Sequence, residues 1–507
     1  MPHIIALKNG DRLTADKKCA KEASGTGLHG VGKRAAAEAV LTIVKDSKTY
    51  ASKVAHATDR LVDVYLDIAF KTTQTHHHPN GQRVKTHGPL PDSARAVRGL
   101  GEAAICTALP PPRPDACYDS HDALGSFPRF NGFVNPHLPP DNPGGINAPI
   151  LLKVSGTDGV AYRQLVKSGS DDLRQDAVME QLFELVNQLL ARSPEAARRR
   201  LRVGTYPVVP FSPAAGCVGF VSGAIELGDW LYKSAGGGAH GRYRPQDWGF
   251  ATCRRAMVDA RGGGGGGGAL VQRLVDEYGR VCENFRPVLR HFFTEHFDTP
   301  SEWLERRLTY TRSAAASSVV GYVMGLGDRH ASNILISTST AEVTHIDLGV
   351  AFEQGRMLRI PETAPFRLTR DMVDGMGVHG VEGAFRACAG VAMGVMRASK
   401  EALLTIVEVF IHDPLYTWAI NDIARDQRQR DMDDEGTDET GTVADVAEEG
   451  PSRNSEAERA LGRVRSKLDG IEGGEFYAPD GQVAKLINEA RDPRNLAVLF
   501  AGWAPFL

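Results

Sequence analysis

The chain has few cysteines, almost no charge imbalance and no long apolar run, and each shortage removes a class of protein. Its seven cysteines, at 19, 106, 117, 217, 253, 282 and 388 of 507 residues, are odd in number and scattered, with no C-x-x-C pair. Neither a disulfide framework nor a zinc module is suggested, and a reducing compartment fits. Lys and Arg number 59 against 62 Asp and Glu, a formal net charge of −3. That balance, with no basic stripe interleaved by aromatics, offers no direct nucleic-acid site. No stretch approaches the ~18 apolar residues of a membrane-spanning helix, and the opening MPHIIALKNGDRLTADKK is too polar for a signal peptide. The expectation is a cytosolic or nuclear protein without a membrane partner. Hydrophobic residues at 42% allow a large core, and the length suits roughly two to four domains.

Residues 33–70 place Val40, Val44, Val54, Leu61, Val64, Tyr65 and Ile68 at near-helical spacing, predicting one or two amphipathic helices that need a surface to pack on. Pro, Gly, His and Asn dominate 71–149, which reads as linker and loops with a few short strands at most. Strand-like runs follow in APILLKV, AYRQLVK, TYPVVPF and CVGFV, with the helical pattern DAVMEQLFELVNQLLAR between the second and third. After Gly223 the pattern turns helical, interrupted by seven glycines at 262–268 that mark a surface loop. Residues 431–449 hold nine Asp and Glu and no Lys or Arg, a solvated insert by composition. In the last module Val483, Leu486, Ile487 and Ala490 follow i, i+3, i+4, i+7 and predict one buried helix face.

Chemistry concentrates in GYVMGLGDRHASNILI, 321–336. Asp328 and Asn333 stand five apart, the spacing of a kinase catalytic loop in which Asp takes the substrate proton and Asn holds Mg²⁺. Fourteen residues past Asn333, HIDLG places Asp347 after an apolar strand and before Leu-Gly, the context of a second metal-binding carboxylate. Upstream, Lys167 ends the strand RQLVK, where it could reach nucleotide phosphates, and Asp171, Asp172 and Asp176 at the next helix start are its candidate partners. Each element alone is common; their order along one chain is what points to phosphoryl transfer.

The blocks SDDLRQDAVMEQLFELVNQLL, YTRSAAASSVVGYVMGLGDRHASNILI, HIDLGVAFEQGRML and PETAPFRLTRDMVDGMGVHGVEGAFR resemble the phosphatidylinositol 3-kinase-related protein kinases, and among them the ATM (ataxia-telangiectasia mutated) branch. The resemblance spans about 145–425 plus the C-terminal module. It implies an α+β, two-lobed kinase-like fold with a strand-rich N-lobe, a mainly helical C-lobe and a helical FATC module. It implies ATP and Mg²⁺ as cofactors, with Mn²⁺ an alternative. Asp328 becomes the base or hydroxyl-orienting residue, His330 a stabiliser of the γ-phosphate, and Asn333 and Asp347 the metal ligands. Lys167 becomes the phosphate-binding lysine with Asp176 as partner. Ser155, Gly156 and Thr157 take the phosphate-covering place without a G-x-G-x-x-G, and Tyr206, Gly219, Phe220 and Val221 hold adenine. Phe352, Pro361, Glu362, Phe366, Arg367 and Thr369 belong to the activation and substrate segment. Phe220 stands where the branch usually has tryptophan, and the tail keeps Gly502 and Trp503 but has Phe506 in place of a second tryptophan.

The expected organisation is 1–70 as a remnant of a helical FAT region, 71–144 linker, 145–222 N-lobe and 223–428 C-lobe. An acidic insert at 429–452, a helical connector at 453–474 and FATC at 475–507 complete it. Because the family carries a long helical solenoid before its kinase, the chain reads as a fragment or an incomplete gene product. The resemblance further implies a nuclear serine/threonine kinase that modifies Ser or Thr followed by Gln, in double-strand-break signalling and telomere maintenance. Its partners would be protein substrates and a break-sensor complex of MRN type. A phosphoinositide lipid kinase is the alternative, but residues 347–370 hold four Arg, three acids and no Lys, unlike a lysine-rich segment built to hold inositol phosphates. A catalytically dead scaffold would have lost Asp328, Asn333 or Asp347.

Overall fold

The computed structural model describes residues 39–46, 50–77, 83–95, 97, 100–108, 127–138, 140, 149–168, 173–212, 214–262, 267–358, 360–411 and 453–507. Asp171, Asp172, glycines 263–266 and the acidic stretch lie outside them. Two compact units are present: the described residues up to Gln181 with Tyr206–Ser222, and Leu182–Thr205 with the described residues from Gly223 onward.

In the first unit, helix α1 (Tyr50–Lys71) precedes a hairpin of β1 (Thr73–His77) and β2 (Arg83–His87). An antiparallel sheet follows, built from β3 (Phe130–Phe133), β4 (Ile150–Gly156), β5 (Ala161–Ser168), β6 (Val208–Ser212) and β7 (Ala215–Gly219) in the order β3-β4-β5-β7-β6. Period two along β4 buries Ile150, Leu152 and Val154 in the core that also takes Leu61, Tyr65 and Ile68 from one face of α1. Tyr65 ties the two layers: its ring stacks on Phe211 at 5.2 Å and its hydroxyl donates to the buried Gln164 side chain. The surface that the amphipathic N-terminal helix needs is therefore this sheet. Strand β3, drawn from the Pro- and Gly-rich stretch, pairs with β4 through a bulge at Phe130–Gly132. Four residues with a bulge are too few to display an alternation in sequence.

The second unit is mainly helical around a small antiparallel sheet of β8 (Ala224–Glu226), β9 (Ile334–Ser337) and β10 (Val343–His345), with β9 central. Helix α2 (Leu173–Arg192) begins in the first unit and runs into the second. Helices α3 (Phe250–Gly262) and α4 (Gly268–Asn284) flank the glycine run. Helix α5 (Pro300–Val323) starts with Pro300 in its first turn and the Thr299 hydroxyl accepting from the Glu302 amide at 3.2 Å. Its second half is rich in Ala and Ser and buried from Ser313 to Val323, which lets α7 (Ala384–Ala398) approach closely. The helix stops in a Schellman motif, with Leu326 N donating to Gly321 O at 2.8 Å and Gly325 N to Tyr322 O at 3.0 Å. Gly325 has φ +62°, and a Cβ there would meet the Glu353 amide nitrogen at 2.4 Å. Glycine is therefore required where the helix hands over to the loop 327–333.

Short helix α6 (Arg370–Gly375) follows the segment after β10, and α8 (Arg453–Asp469), the hairpin β11–β12 (Ile471–Glu472, Glu475–Phe476), α9 (Pro479–Arg491) and α10 (Pro493–Ala497) close the unit. Val483, Leu486, Ile487 and Ala490 are all buried, and α9 packs on α7. Beyond them Trp503, Phe506 and Leu507 are buried as well.

Candidate active site

In the first unit, Lys167 lies one residue before the end of β5, in register with Gly216 of β7. A Cβ at Gly216 would sit 2.8 Å from Leu173 Cδ1, so the start of α2 packs directly on the strand beside Lys167. Asp176, in the first turn of α2, is buried, as is Glu180 one turn later. Glu180 accepts the Tyr206 amide at 3.1 Å and thereby fixes the start of the segment leading into β6. Glu180 was not among the residues the sequence singled out, although its i, i+4 spacing from Asp176 put both acids on one helix face.

The turn after β4 is closed from two sides. Thr157 N donates to Arg129 O at 2.9 Å and its hydroxyl accepts Arg129 N at 3.1 Å; Asp158 accepts from Val160 N at 3.0 Å and from the Tyr162 hydroxyl at 2.5 Å. Ser155 pairs with Ala161 across β4–β5, and a Cβ on Gly156 would collide with Asp158 Oδ1 at 2.3 Å. At the end of β7, Gly219 N donates to Pro207 O at 2.8 Å, and a Cβ there would lie 2.5 Å from the proline ring. The Phe220 ring lies under the Arg163 guanidinium at 3.9 Å, and Val221 follows half-buried.

In the second unit, the loop 327–333 gathers Asp328, His330 and Asn333. Asn333 Nδ2 donates to the Asp328 carbonyl at 3.0 Å and to its Oδ2 at 3.3 Å, so the amide nitrogen is committed and Oδ1 remains the donor for a cation. The Ser332 amide donates to His330 Nδ1 at 3.2 Å. A neutral His330 therefore carries its proton on Nε2, which stands 3.9 Å from Asp328 Oδ1. Asp347 follows β10, and Ile346 N donates to Asn333 O at 3.0 Å, joining the two segments. Asp328 and Asp347 both have φ +56°, the left-handed region that costs about 1 kcal/mol or more for a residue with a Cβ. Two strained carboxylates, each at its own chain reversal, are what a site built for chemistry accepts.

Arg329 explains how that strain is held. Nearly inaccessible at 3% exposure, its guanidinium donates to Gly327 O at 2.7 Å, Ile346 O at 2.8 Å and Asp347 O. It forms no ion pair among the described residues, and five N–H groups in a planar fork suit it to spanning several carbonyls. Burial first, and then the Arg329 charge, push His345 down to about 3, so that side chain is neutral. The motif carried this residue in plain view, but nothing in its spacing says whether an arginine faces substrate or backbone.

Among the described residues no group of three or more His, Cys, Asp or Glu converges as a metal site. Asn333 and Asp347 supply two oxygen donors, which fits a Mg²⁺-type cation that completes its shell with phosphate oxygens and water.

Of the segment residues, Pro361 is exposed while Phe352, Phe366, Arg367 and Thr369 are buried. These four build the segment from within. Phe352 and Glu353 are left-handed, at φ +54° and +67°, and donate to Met324 O and Gly325 O at 2.8 and 2.9 Å. Glu362 turns inward, and its Oε2 accepts the Asp328 amide at 2.8 Å. Enclosure, and after it the Asp328 charge, push its carboxyl up to about 7. Arg367 donates to Trp503 O at 2.6 Å, Ala504 O at 2.9 Å and Arg329 O at 3.3 Å. Arg370 donates to Phe506 O at 2.7 Å, and Arg261 to Val498 O and Leu499 O at 2.8 and 2.9 Å.

A strand-rich unit followed by a mainly helical one, with a carboxylate and an amide on one tight loop and a second carboxylate after the neighbouring strand, is the class of fold found in kinase-like proteins. The sequence model of the phosphatidylinositol 3- and 4-kinase family matches residues 163–420, and that of the FATC domain matches 479–507. The chain belongs to the phosphatidylinositol 3- and 4-kinase family. Among its relatives are ATM and Tel1 protein kinases: it is 45% identical to a serine/threonine-protein kinase ATM of Arabidopsis thaliana over 99% of this chain and 12% of that one. It is 40% identical to the serine-protein kinase ATM of Sus scrofa over 92% of this chain and 15% of the relative. A solved structure of the FAT and kinase domain of CtTel1 superposes with a TM-score of 0.74 at 33% identity, covering 100% of this chain and 31% of that one. The chain thus spans about an eighth of the length of the curated relatives it matches.

Proposed function

We propose that the chain is the catalytic part of an ATP-dependent serine/threonine protein kinase of the ATM type, transferring the γ-phosphate to Ser or Thr followed by Gln. The observation that carries this reading is the Asp328–Asn333 loop hydrogen-bonded to itself and joined at Asn333 to the segment bearing Asp347. Asp328 orients the acceptor hydroxyl and receives its proton as the oxygen forms its bond to the γ-phosphorus and the bond to the β,γ-bridging oxygen breaks. The Nε2–H of His330 donates to the phosphoryl oxygens. Asn333 and Asp347 would hold Mg²⁺, or Mn²⁺ in its place, and the cation would neutralise charge on the phosphates. Lys167, with Asp176 as its partner, binds phosphate, 155–157 covers it, and Tyr206, Gly219, Phe220 and Val221 receive adenine.

By the same resemblance the lobes are 145–222 and 223–428, joined through an acidic insert at 429–452 and a connector at 453–474 to FATC at 475–507. The setting is the nucleus, in double-strand-break signalling and telomere maintenance, with a sensor complex of MRN type as partner. A lipid-kinase reading is disfavoured by the arginines of 347–370: Arg367 and Arg370 are spent on backbone carbonyls, and Arg356 pairs with Glu353 at 2.5 Å. No helix among the described residues is long and apolar enough to cross a membrane. The test is Mg²⁺-ATP with paired peptides differing only in Gln or Ala at +1, alongside phosphatidylinositol vesicles. A hydrogen-bonding pocket for the glutamine amide predicts strong preference for the first peptide. Equal peptide rates would remove the specificity, and labelling of the vesicles in preference to both would move the chain to the lipid kinases.

A further inference from the structure

Two arginines in series run from the C-terminal tail to the catalytic loop. Arg367, 2% exposed, donates to the carbonyls of Trp503 and Ala504 on one side and of Arg329 on the other, and its guanidinium lies 4.3 Å over the Trp503 ring. Arg329 in turn donates to the carbonyls of Gly327, Asn333, Ile346 and Asp347, the backbone that carries both left-handed aspartates. Neither guanidinium makes an ion pair among the described residues, and Arg367 Nε is buried with no hydrogen-bond partner among them. An arginine held only by carbonyl oxygens keeps its position only while those carbonyls stay in place. Removing the tail takes away two of its three carbonyl acceptors and the Trp503 ring that covers it, so the side chain is free to turn toward water and release the Arg329 carbonyl.

We propose that Arg367 is a positioning residue that couples the docked C-terminal tail to the catalytic loop, so that the tail sets turnover through Arg329 and leaves nucleotide binding alone. The coupling rests on the kinase reading above. Lysine at 367 keeps the charge but offers one nitrogen where three carbonyls are now bridged. Arg370 is the internal control, because it holds Phe506 O together with Cys282 O and Phe285 O and touches no residue of the catalytic loop.

The experiment compares the full chain, R367K, R370K, a chain truncated before Trp503, and R367K in that truncated chain. Turnover is referred to nucleotide-binding sites counted by titration, so that unfolding alone does not change it. R367K and the truncation should each lower kcat about 10- to 100-fold, the usual size of a misplaced catalytic group, with the KM for ATP within about twofold. The double variant should be no slower than the truncation, because both sever one bridge. R370K should lower the melting temperature while kcat stays within about twofold. Where R367K does not fold, the truncated chain reads the same bridge from its other end. Wild-type kcat in R367K or in the truncated chain, losses that multiply in the double variant, or an R370K loss equal to that of R367K would each overturn the coupling. If the unmodified chain binds nucleotide but transfers phosphate to no acceptor, the kinase reading itself fails and the coupling with it.

Discussion

At the residue scale the two aspartates are separable. On the proposed function Asp347 would hold the cation together with Asn333, so Asp347→Ala should abolish measurable transfer and weaken Mg²⁺-ATP binding. Asp328→Ala should leave nucleotide affinity intact and lower turnover by ~10² to 10⁴-fold, the range of a lost proton-transfer role. Nucleotide titration beside single-turnover kinetics checks both, and an unchanged affinity and rate in either variant would refute its assignment. Glu362 predicts a pH effect. Its carboxyl is raised from 4.5 to about 7, so between those values the folded chain holds a proton that the unfolded chain has released. Stability therefore falls as pH rises through that window and levels off above it, by on the order of 1 to 3 kcal/mol. Glu362→Gln should show a flatter melting profile between pH 5 and 8, and parallel profiles would contradict an enclosed carboxylate. That Asp328 and Asn333 meet on one loop, joined at Asn333 to the segment bearing Asp347, was legible because spacing and order disclose it. Glu362, which lies 34 positions from its partner Asp328, was named only as a segment residue, because no local pattern records so distant a pairing.

At the element scale, α8 shows what periodicity does not reveal. The sequence reads 453–474 as a connector, and neither family model extends over it. Yet Lys467 of this helix is 7% exposed, donates to Tyr322 O at 2.6 Å and pairs with Glu353. Its own carbonyl accepts Gln482 Nε2 at 2.9 Å, binding α8 to α9. Lys467→Met leaves the Glu353 carboxylate with the half-exposed Arg356 as its one remaining ion-pair partner among the described residues and should cost up to about 3 kcal/mol, whereas Lys467→Met with Glu353→Leu should recover most of it. Chemical denaturation of the unmodified chain and the two variants measures the difference, and equal losses in the single and double variants would show that the pair is not buried as a unit. A lysine on a charged helix is ordinarily solvated, so burial of this one follows from tertiary context alone. The apolar face of α9, by contrast, was evident from sequence because four residues repeat at helical spacing.

At the scale of the whole molecule, the strand-rich and helical divisions were legible from the change of hydrophobic period near residue 223. The contribution of the N-terminal region was not. Helix α1 supplies part of the core of the first unit, and β3 completes one edge of its sheet, whereas composition allows the stretch from 71 onward only loops with a few short strands and assigns them no place. Deleting 475–507 should remove activity and lower thermal stability sharply, because Arg261, Arg367 and Arg370 lose carbonyl partners each worth roughly 1.5 to 3 kcal/mol. Full activity with an unchanged melting temperature would make the tail a mere extension.

The bridge from Arg367 to Trp503 spans 136 positions of chain. A ribosome adding about 5 to 20 residues per second needs roughly 7 to 27 s to cover that distance. The catalytic loop is therefore translated first and secured last, and a nascent chain halted within that interval presents the motif without the support that shapes it.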